Sequence, residues 1–293
     1  MSSFWGVDIG GSTVVIGRLG EDGRFVRSSV LDNTGGYDPG RVLAEVSSAI
    51  LSEDRSPLGI GVGIAGLVDR EAGILHFSPN LPSWNGLDVA GTLSGISGTR
   101  VIVDNDCNVF AWGALAAGRI PPRGTSLMIT IGTGIGGTII FDGRIAYGTG
   151  FAGEFGHMPV EAEGIPCPCG SRGCWEVYAA KNALVRYNLR EGGLCRDPEG
   201  ISALARSGDG AAVSAFGELG RWLGIGLSGL ANCFSPTGFF LAGGLTGSWD
   251  LFEAAAHREY SSRCRHPWCI HILDSPSDAG AAGAAMMARD FLP

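Results

Sequence analysis

The sequence predicts an α/β protein built from two related halves. Three observations carry this. The stretch VDIGGSTVVIGRLGEDGRFV at 7–26 is echoed by ITIGTGIGGTIIFDGRIA at 129–146, each with a glycine-rich first turn and a DGR in its second. Segments with helical spacing follow each of these β-rich stretches, as in a duplicated βββαβα unit. The 293 residues, 45% of them hydrophobic, suit two medium domains better than one.

Residues 3–9 (SFWGVDI) alternate as a strand. VVIGRLG and RFVRSSV continue as strands across the tight turns GGST and EDG. Residues 38–53 have helical spacing, with Asp38 and Pro39 as start signals. LGIGVGIAG is a buried strand, LDVAGTLSGIS a short helix, RVIVDND a strand ending in acids, and CNVFAWGALAAGR a helix. RIPPRG then interrupts the pattern near 118–124, the best boundary. The expected domains are a small one of residues 1–118 joined by a C-terminal helix, 279–293, and a large one of residues 119–278. SLMITIGTGIGGTIIFDGRIAYG restarts the series as strand, glycine loop, strand, Asp-Gly turn and strand. After the cysteine-rich segment the chain turns helical, with one long apolar-striped helix over 211–232. TGFFLAGGLTGS reads as a strand, a double-glycine turn and a helix start. SDAGAAGAAMMARDF suits a small-residue helix packed closely on a sheet.

Composition excludes several classes. The formal charge of −8 argues against nucleic acid as an obligatory partner. No run of 18 apolar residues is present, so no membrane span is expected. MSSFWGVDIGG lacks a basic head and a cleavable apolar segment, which points to a cytoplasmic protein. Eight cysteines in such a chain should be free or metal-bound rather than paired. Lys181 is the only lysine and no GxxxxGK[ST] motif exists, so a phosphate site is expected to rest on backbone N–H groups, metal and arginine.

Glycine, at 49 residues against an ordinary level of about 7%, clusters after apolar runs. Gly132, Gly134 and Gly137 have GxGxxG spacing, but β-rich sequence follows where a dinucleotide fold needs a helix. Either glycine loop alone reads equally as a plain hairpin. Two similar loops, Asp8-Ile9-Gly10-Gly11-Ser12-Thr13 and Gly132-Thr133-Gly134, favour a phosphate clamp, because glycine admits close backbone approach and hydroxyls add donors. Asp104-Asn105-Asp106 lies at a strand end before a helix. Its acids suit a helix cap or, facing a ligand, a general base, with Asn105 as a substrate ligand. Cys167, Cys169 and Cys174 with His157 supply a tetrahedral Cys3His zinc set; the alternative is buried free thiols and an unrelated histidine. Four protein ligands leave no open position, so such a zinc is structural. It would hold Glu154, His157 and Glu176 facing one way, as carboxylates and an imidazole line a polyol pocket. PNLPSW is a loop with an exposed-looking tryptophan, and Asn80 within it suits a hydroxyl ligand.

These motifs resemble the ROK family of bacterial sugar kinases and sugar-responsive repressors, over nearly the whole chain. VDIGGST and IGTGIGG look like the family's two phosphate motifs and VDNDCN like its catalytic motif. GEFGH with CPCGSRGCWE looks like its sugar and zinc signature, and FFLAGGL, with Gly243 and Gly244, like its nucleotide-side motif. PNLPSW resembles the glucokinase branch. The resemblance implies an actin/hexokinase-like (ribonuclease H-like) fold with an interdomain cleft, and transfer of the ATP γ-phosphoryl to a hexose, glucose at its 6-hydroxyl in particular. It makes Asp106 the base; Asn80, Asn105, Glu154, His157 and Glu176 sugar ligands; and Asp8 a residue positioning Mg2+ through water. Asp104, Cys107, Ala114 and Val14 depart from the family's usual Glu, Ala, Glu and Lys.

The expected cofactors are ATP, Mg2+ and structural Zn2+. The expected partners are a hexose and further copies of the chain, as a homodimer or higher homo-oligomer, without nucleic acid or membrane. Within the enzyme class the runner-up substrate is an N-acetylhexosamine (GlcNAc or ManNAc). Outside it stand a sugar-sensing regulator and a zinc-stabilised sugar-binding protein. With the first phosphate strand opening the sequence, no helix-turn-helix is expected, and both phosphate loops and Asp106 favour catalysis.

Overall fold

A computed structural model of the protein describes residues 3–20, 22–32, 38–274 and 276–292. Glu21, in the expected EDG turn, lies outside them, as do residues 1, 2, 33–37 and 293 of the expected small domain and residue 275 of the expected large one. In chain order the elements are β1 (Phe4–Ile9), β2 (Thr13–Leu19), β3 (Phe25–Asp32), α1 (Pro39–Glu53), β4 (Gly59–Ile64), β5 (Leu67–Asp69), β6 (Ile74–Phe77) and β7 (Leu87–Asp88). Then come α2 (Val89–Ser97), β8 (Val101–Asn105), α3 (Asp106–Ala116), β9 (Thr125–Ile131), β10 (Ile135–Phe141) and β11 (Arg144–Ile145). The rest is α4 (Glu176–Ala179), α5 (Lys181–Arg190), α6 (Pro198–Arg206), α7 (Gly210–Phe234), β12 (Gly238–Ala242), α8 (Trp249–Arg263), β13 (Ile270–Ile272) and α9 (Ala279–Phe291). Two compact units result: residues 1–122, 143–152 and 275–293, and residues 123–142 and 153–274. Among the described residues no helix is long and apolar enough to cross a membrane.

In the first unit the sheet runs β3-β2-β1-β4-β8. β1 is antiparallel to β2 and parallel to β4, and β4 is parallel to β8. Alternation along the strands decides what each face receives. In GIGVGI of β4, Ile60, Val62 and Ile64 join a core with Val42, Leu43, Val46 and Ile50 of α1. The glycines face the other way. A Cβ on Gly61 would stand 1.9 Å from Ala284 O, and one on Gly6 of β1 1.9 Å from Ala281 O. The small-residue helix α9 therefore lies flush on that face, as its sequence predicts. α1 starts as expected: the Asp38 carboxylate accepts from Gly40 N at 3.0 Å and Pro39 fills the first turn, where no N–H is needed.

The second unit repeats the plan. β10 is antiparallel to β9, β12 is parallel to β9, and β13 is parallel to β12. The long helix α7 is capped by the Asp209 carboxylate on Ala212 N at 2.9 Å. Gly220 and Gly224 open its surface to the α8 backbone; a Cβ on either would sit 2.4 Å from a carbonyl oxygen of α8.

Two features differ from the sequence reading. A small antiparallel sheet, β5-β6-β7, interrupts the first unit. Trp84 is fully buried in the first unit's core rather than exposed. Its 3-10 turn, Pro82–Trp84, drives the ring inward and leaves Asn80 outside.

Candidate active site

The first unit holds an acidic centre made by strand ends. Asp8, Gly63 and Asp104 are in register across β1, β4 and β8. Gly63 in the middle has no side chain to separate the acids; a Cβ there would meet Val109 at 2.5 Å. Asp8 points to the same face as Gly6, toward the start of α9, where a Cβ on Gly280 would lie 2.3 Å from its carboxylate. Next along the chain, β8 ends at Asn105 and α3 begins at Asp106. Asn105, not an aspartate, is the helix cap: its Oδ1 accepts from Cys107 N at 2.8 Å and its Nδ2 donates to Gly66 O at 2.8 Å. One lone pair of its amide oxygen is left for a ligand.

Asp104 turns away from ligand duty. It is buried, accepting from Asn108 Nδ2 and its neighbour's N–H on one oxygen, and from Tyr147 Oη at 2.9 Å on the other. Arg70 Nε lies 3.4 Å from that second oxygen, and its guanidinium lies over the Tyr147 and Phe291 rings. These long-range partners fix the backbone that presents Asn105 and Asp106.

Burial pushes Asp106 above the usual carboxylate range, against the opposing pull of the Cys107 N–H and thiol. Burial, with the Asp106 charge adding to it, pushes Asp8 up to about 7. A divalent cation beside Asp8 would offset that cost. For Asp8 the sign is definite. The folded carboxyl keeps its proton to about 7, while its ordinary value is 3.8. Its contribution to stability is full below about 4 and is lost as pH rises through 7. In metal-free buffer Asp8→Asn should therefore gain stability over the parent between pH 5 and pH 8, read as urea midpoints; equal midpoint differences at both pH values contradict the shift.

The first glycine loop follows β1. Gly10 N donates to Thr13 O at 2.9 Å, so Gly11, Ser12 and Thr13 form an exposed turn, and Asn80 packs against Gly11.

In the second unit the cysteine segment is a pinned loop. Cys167 N donates to Ser171 O, and Gly170, at φ +92°, closes the turn onto Cys167 O. Trp175 is buried, donates its Nε1 to Trp222 O at 2.8 Å, and fills a notch in α7 that exists because residue 226 is glycine. His157, Cys167, Cys169 and Cys174 each offer a ligand atom, all within 4.8 Å of one another. Cys169 and Cys174 Sγ are 3.7 Å apart and Cys167 Sγ is 3.9 Å from His157 Nδ1. Ligands about 2.3 Å from a tetrahedral zinc stand about 3.8 Å from each other, so the cluster has the right size. His157 turns Nδ1 to the thiols and Nε2 toward Glu154, 3.9 Å away. Glu176 opens α4 on the rim, 3.6 Å from His157 Nδ1, with its other oxygen against Gly134.

The second glycine loop joins β9 to β10, with Gly132 N donating to Gly134 O. Gly243, at φ +100°, packs on Ile131, so the double-glycine turn lies beside this loop. Sequence reasoning dismissed the lone lysine, yet Lys181 stands here too: its N–H donates to Gly132 O and its side chain reaches Gly244. Nothing in the local motif marks it, since the contact with Gly244 spans more than sixty positions of the chain.

A family model described as the ROK family matches residues 4–291. The glucokinase of Streptomyces coelicolor is 32% identical over 310 aligned residues, 97% of each chain. That of Thermotoga maritima is 30% identical over 308, covering 97% of this chain and 96% of its own. A solved ROK family glucokinase from Streptomyces griseus, in complex with glucose and AMPPNP, superposes with a TM-score of 0.83 at 33% identity, covering 99% of this chain and 100% of that one.

Proposed function

The chain belongs to the ROK family, and from that premise we propose that it transfers the γ-phosphoryl of ATP to the 6-hydroxyl of glucose. It has the actin/hexokinase-like fold, and it is a sugar kinase. The observation that carries the finer reading is the acidic centre. Asp106 stands at a strand end, partly accessible, with its carboxyl pushed above the usual carboxylate range by burial. Asp104 is held by other groups, and this leaves Asp106 to meet a hydroxyl.

In this reading Asp106 takes the hydroxyl proton as the bond to phosphorus develops. Asn80, Asn105, Glu154, His157 and Glu176 hold the sugar's other hydroxyls. The turns at residues 10–13, 132–134 and 243–244 cradle the donor's phosphates with the backbone N–H groups that their own turn hydrogen bonds leave free. Asp8 suits Mg2+, which when bound would neutralise charge on the transferring group, with Asp8 acting through water. His157, Cys167, Cys169 and Cys174 suit a structural zinc; it takes no part in the chemistry and holds Glu154, His157 and Glu176 in place.

The test is an ATP-coupled assay across glucose, mannose, GlcNAc and ManNAc. Glucose should give the highest kcat/KM, and ATP hydrolysis without sugar should be weak, because the reaction requires water to be excluded. Turnover of an N-acetylhexosamine with none of glucose would reassign the substrate. Glucose binding with no ATP turnover on any sugar would remove the enzyme.

A further inference from the structure

The only lysine in the chain lies where the second unit brings its two glycine turns together. Lys181 is the first residue of α5 and its N–H donates to Gly132 O at 2.9 Å, which clips it to one turn. Its side chain runs to the other: a Cβ built on Gly244 would be 3.0 Å from Nζ and 3.2 Å from Cε. A methyl group at 244 would make the lysine end give by a few tenths of an ångström. Among the described residues the ammonium pairs with no carboxylate and has no hydrogen-bond partner.

Folding alone gives no reason for this position. A cation in the first turn of a helix faces the positive end of the macrodipole, the unfavourable end. Ala180, the capping residue of α5, offers no side-chain acceptor to offset it. An anion in front of the turns would relieve the unpaired ammonium and the exposed backbone N–H groups together.

We propose that Lys181 binds the polyphosphate tail of the phosphoryl donor. The inference rests on the kinase reading for the donor's identity, but it needs only the geometry of one unit. The ammonium adds a point charge to turns whose other donors are backbone N–H groups.

The test is calorimetric binding of MgADP and of inorganic tripolyphosphate, without sugar, to the parent chain, Lys181→Met and Lys181→Arg. Met keeps the stem and helix propensity, and Arg keeps the charge. Lys181→Met should weaken both ligands about tenfold and raise the KM for ATP similarly, with the KM for glucose unchanged. Lys181→Arg should recover most of the loss, and the gap between parent and Met variant should shrink as salt rises from about 0.05 M to about 0.5 M. Unchanged ADP affinity in Lys181→Met, or a loss for ADP with none for tripolyphosphate, overturns the proposal. A parent chain that turns over no sugar, yet loses ADP affinity on Lys181→Met, defeats the kinase reading and leaves the phosphate contact standing. An active parent whose Met variant binds both probes normally does the reverse.

Discussion

Asp106→Asn should lower kcat by about two to four orders of magnitude while leaving glucose affinity within a few-fold of the parent, because general-base assistance contributes on that scale. The substitution is nearly isosteric. Asn at the first position of α3 keeps the Cys107 N–H satisfied and leaves the Asn105 cap untouched. What disappears is a proton acceptor whose basicity burial has raised. Fold stability should hold or improve, since the charge that raises the Asp8 carboxyl is gone. The Asp8 carboxyl should fall from about 7, because the Asp106 charge contributes to its elevation. That fall separates loss of the base from general damage: a misfolded variant would lose sugar affinity, and a neutral Asn in an intact site would move only kcat and the Asp8 titration. Near-normal kcat in the coupled assay, with tight glucose binding by calorimetry, would rule Asp106 out as the base.

Much of this was readable from the sequence for definite physical reasons. The repeated glycine loop and DGR turn announce two sheets of one plan, because strand alternation and turn chemistry are local. The glycines of GIGVGI and the alanines of the last helix predict each other, since a helix can touch a sheet so closely only where both lack side chains. The cysteine spacing predicts a cluster, and the four ligand atoms do converge. What was not readable depends on contacts distant in sequence. Trp84 looks like a loop aromatic until the 3-10 turn places it in the core. Asp104 and Asp106 look equivalent until Arg70, Asn108 and Tyr147 claim the first. Lys181 is only the chain's lone lysine, outside any P-loop motif, until Gly132 and Gly244 arrive on either side.

The second large effect concerns the thiols. Purified protein should carry about one equivalent of zinc, and Cys174→Ser, or prolonged treatment with a strong chelator, should remove it. The sulfurs and imidazole are spaced as a tetrahedral ion requires, and three soft ligands with one nitrogen favour zinc over hard cations. Cys174 is the informative position. It is fully buried and is followed directly by Trp175, anchored in α7, and by Glu176. Losing its thiolate frees the loop between that anchor and His157. Glucose KM should rise about 10- to 100-fold, the usual scale when the surroundings of a metal site are disturbed, and the melting temperature should fall by several degrees. Cys233→Ser serves as the control, because Cys233 is exposed on α7 and outside the cluster; it should keep both the zinc and the glucose KM. In the Cys174 variant kcat at saturating sugar should suffer less than KM, since the proposed metal would order the proposed sugar ligands and Asp106 is untouched. A large kcat loss at unchanged KM would instead put the ion in the chemistry. Protein isolated without zinc, and indifferent to chelator in both melting and KM, would show that the four side chains meet for packing alone.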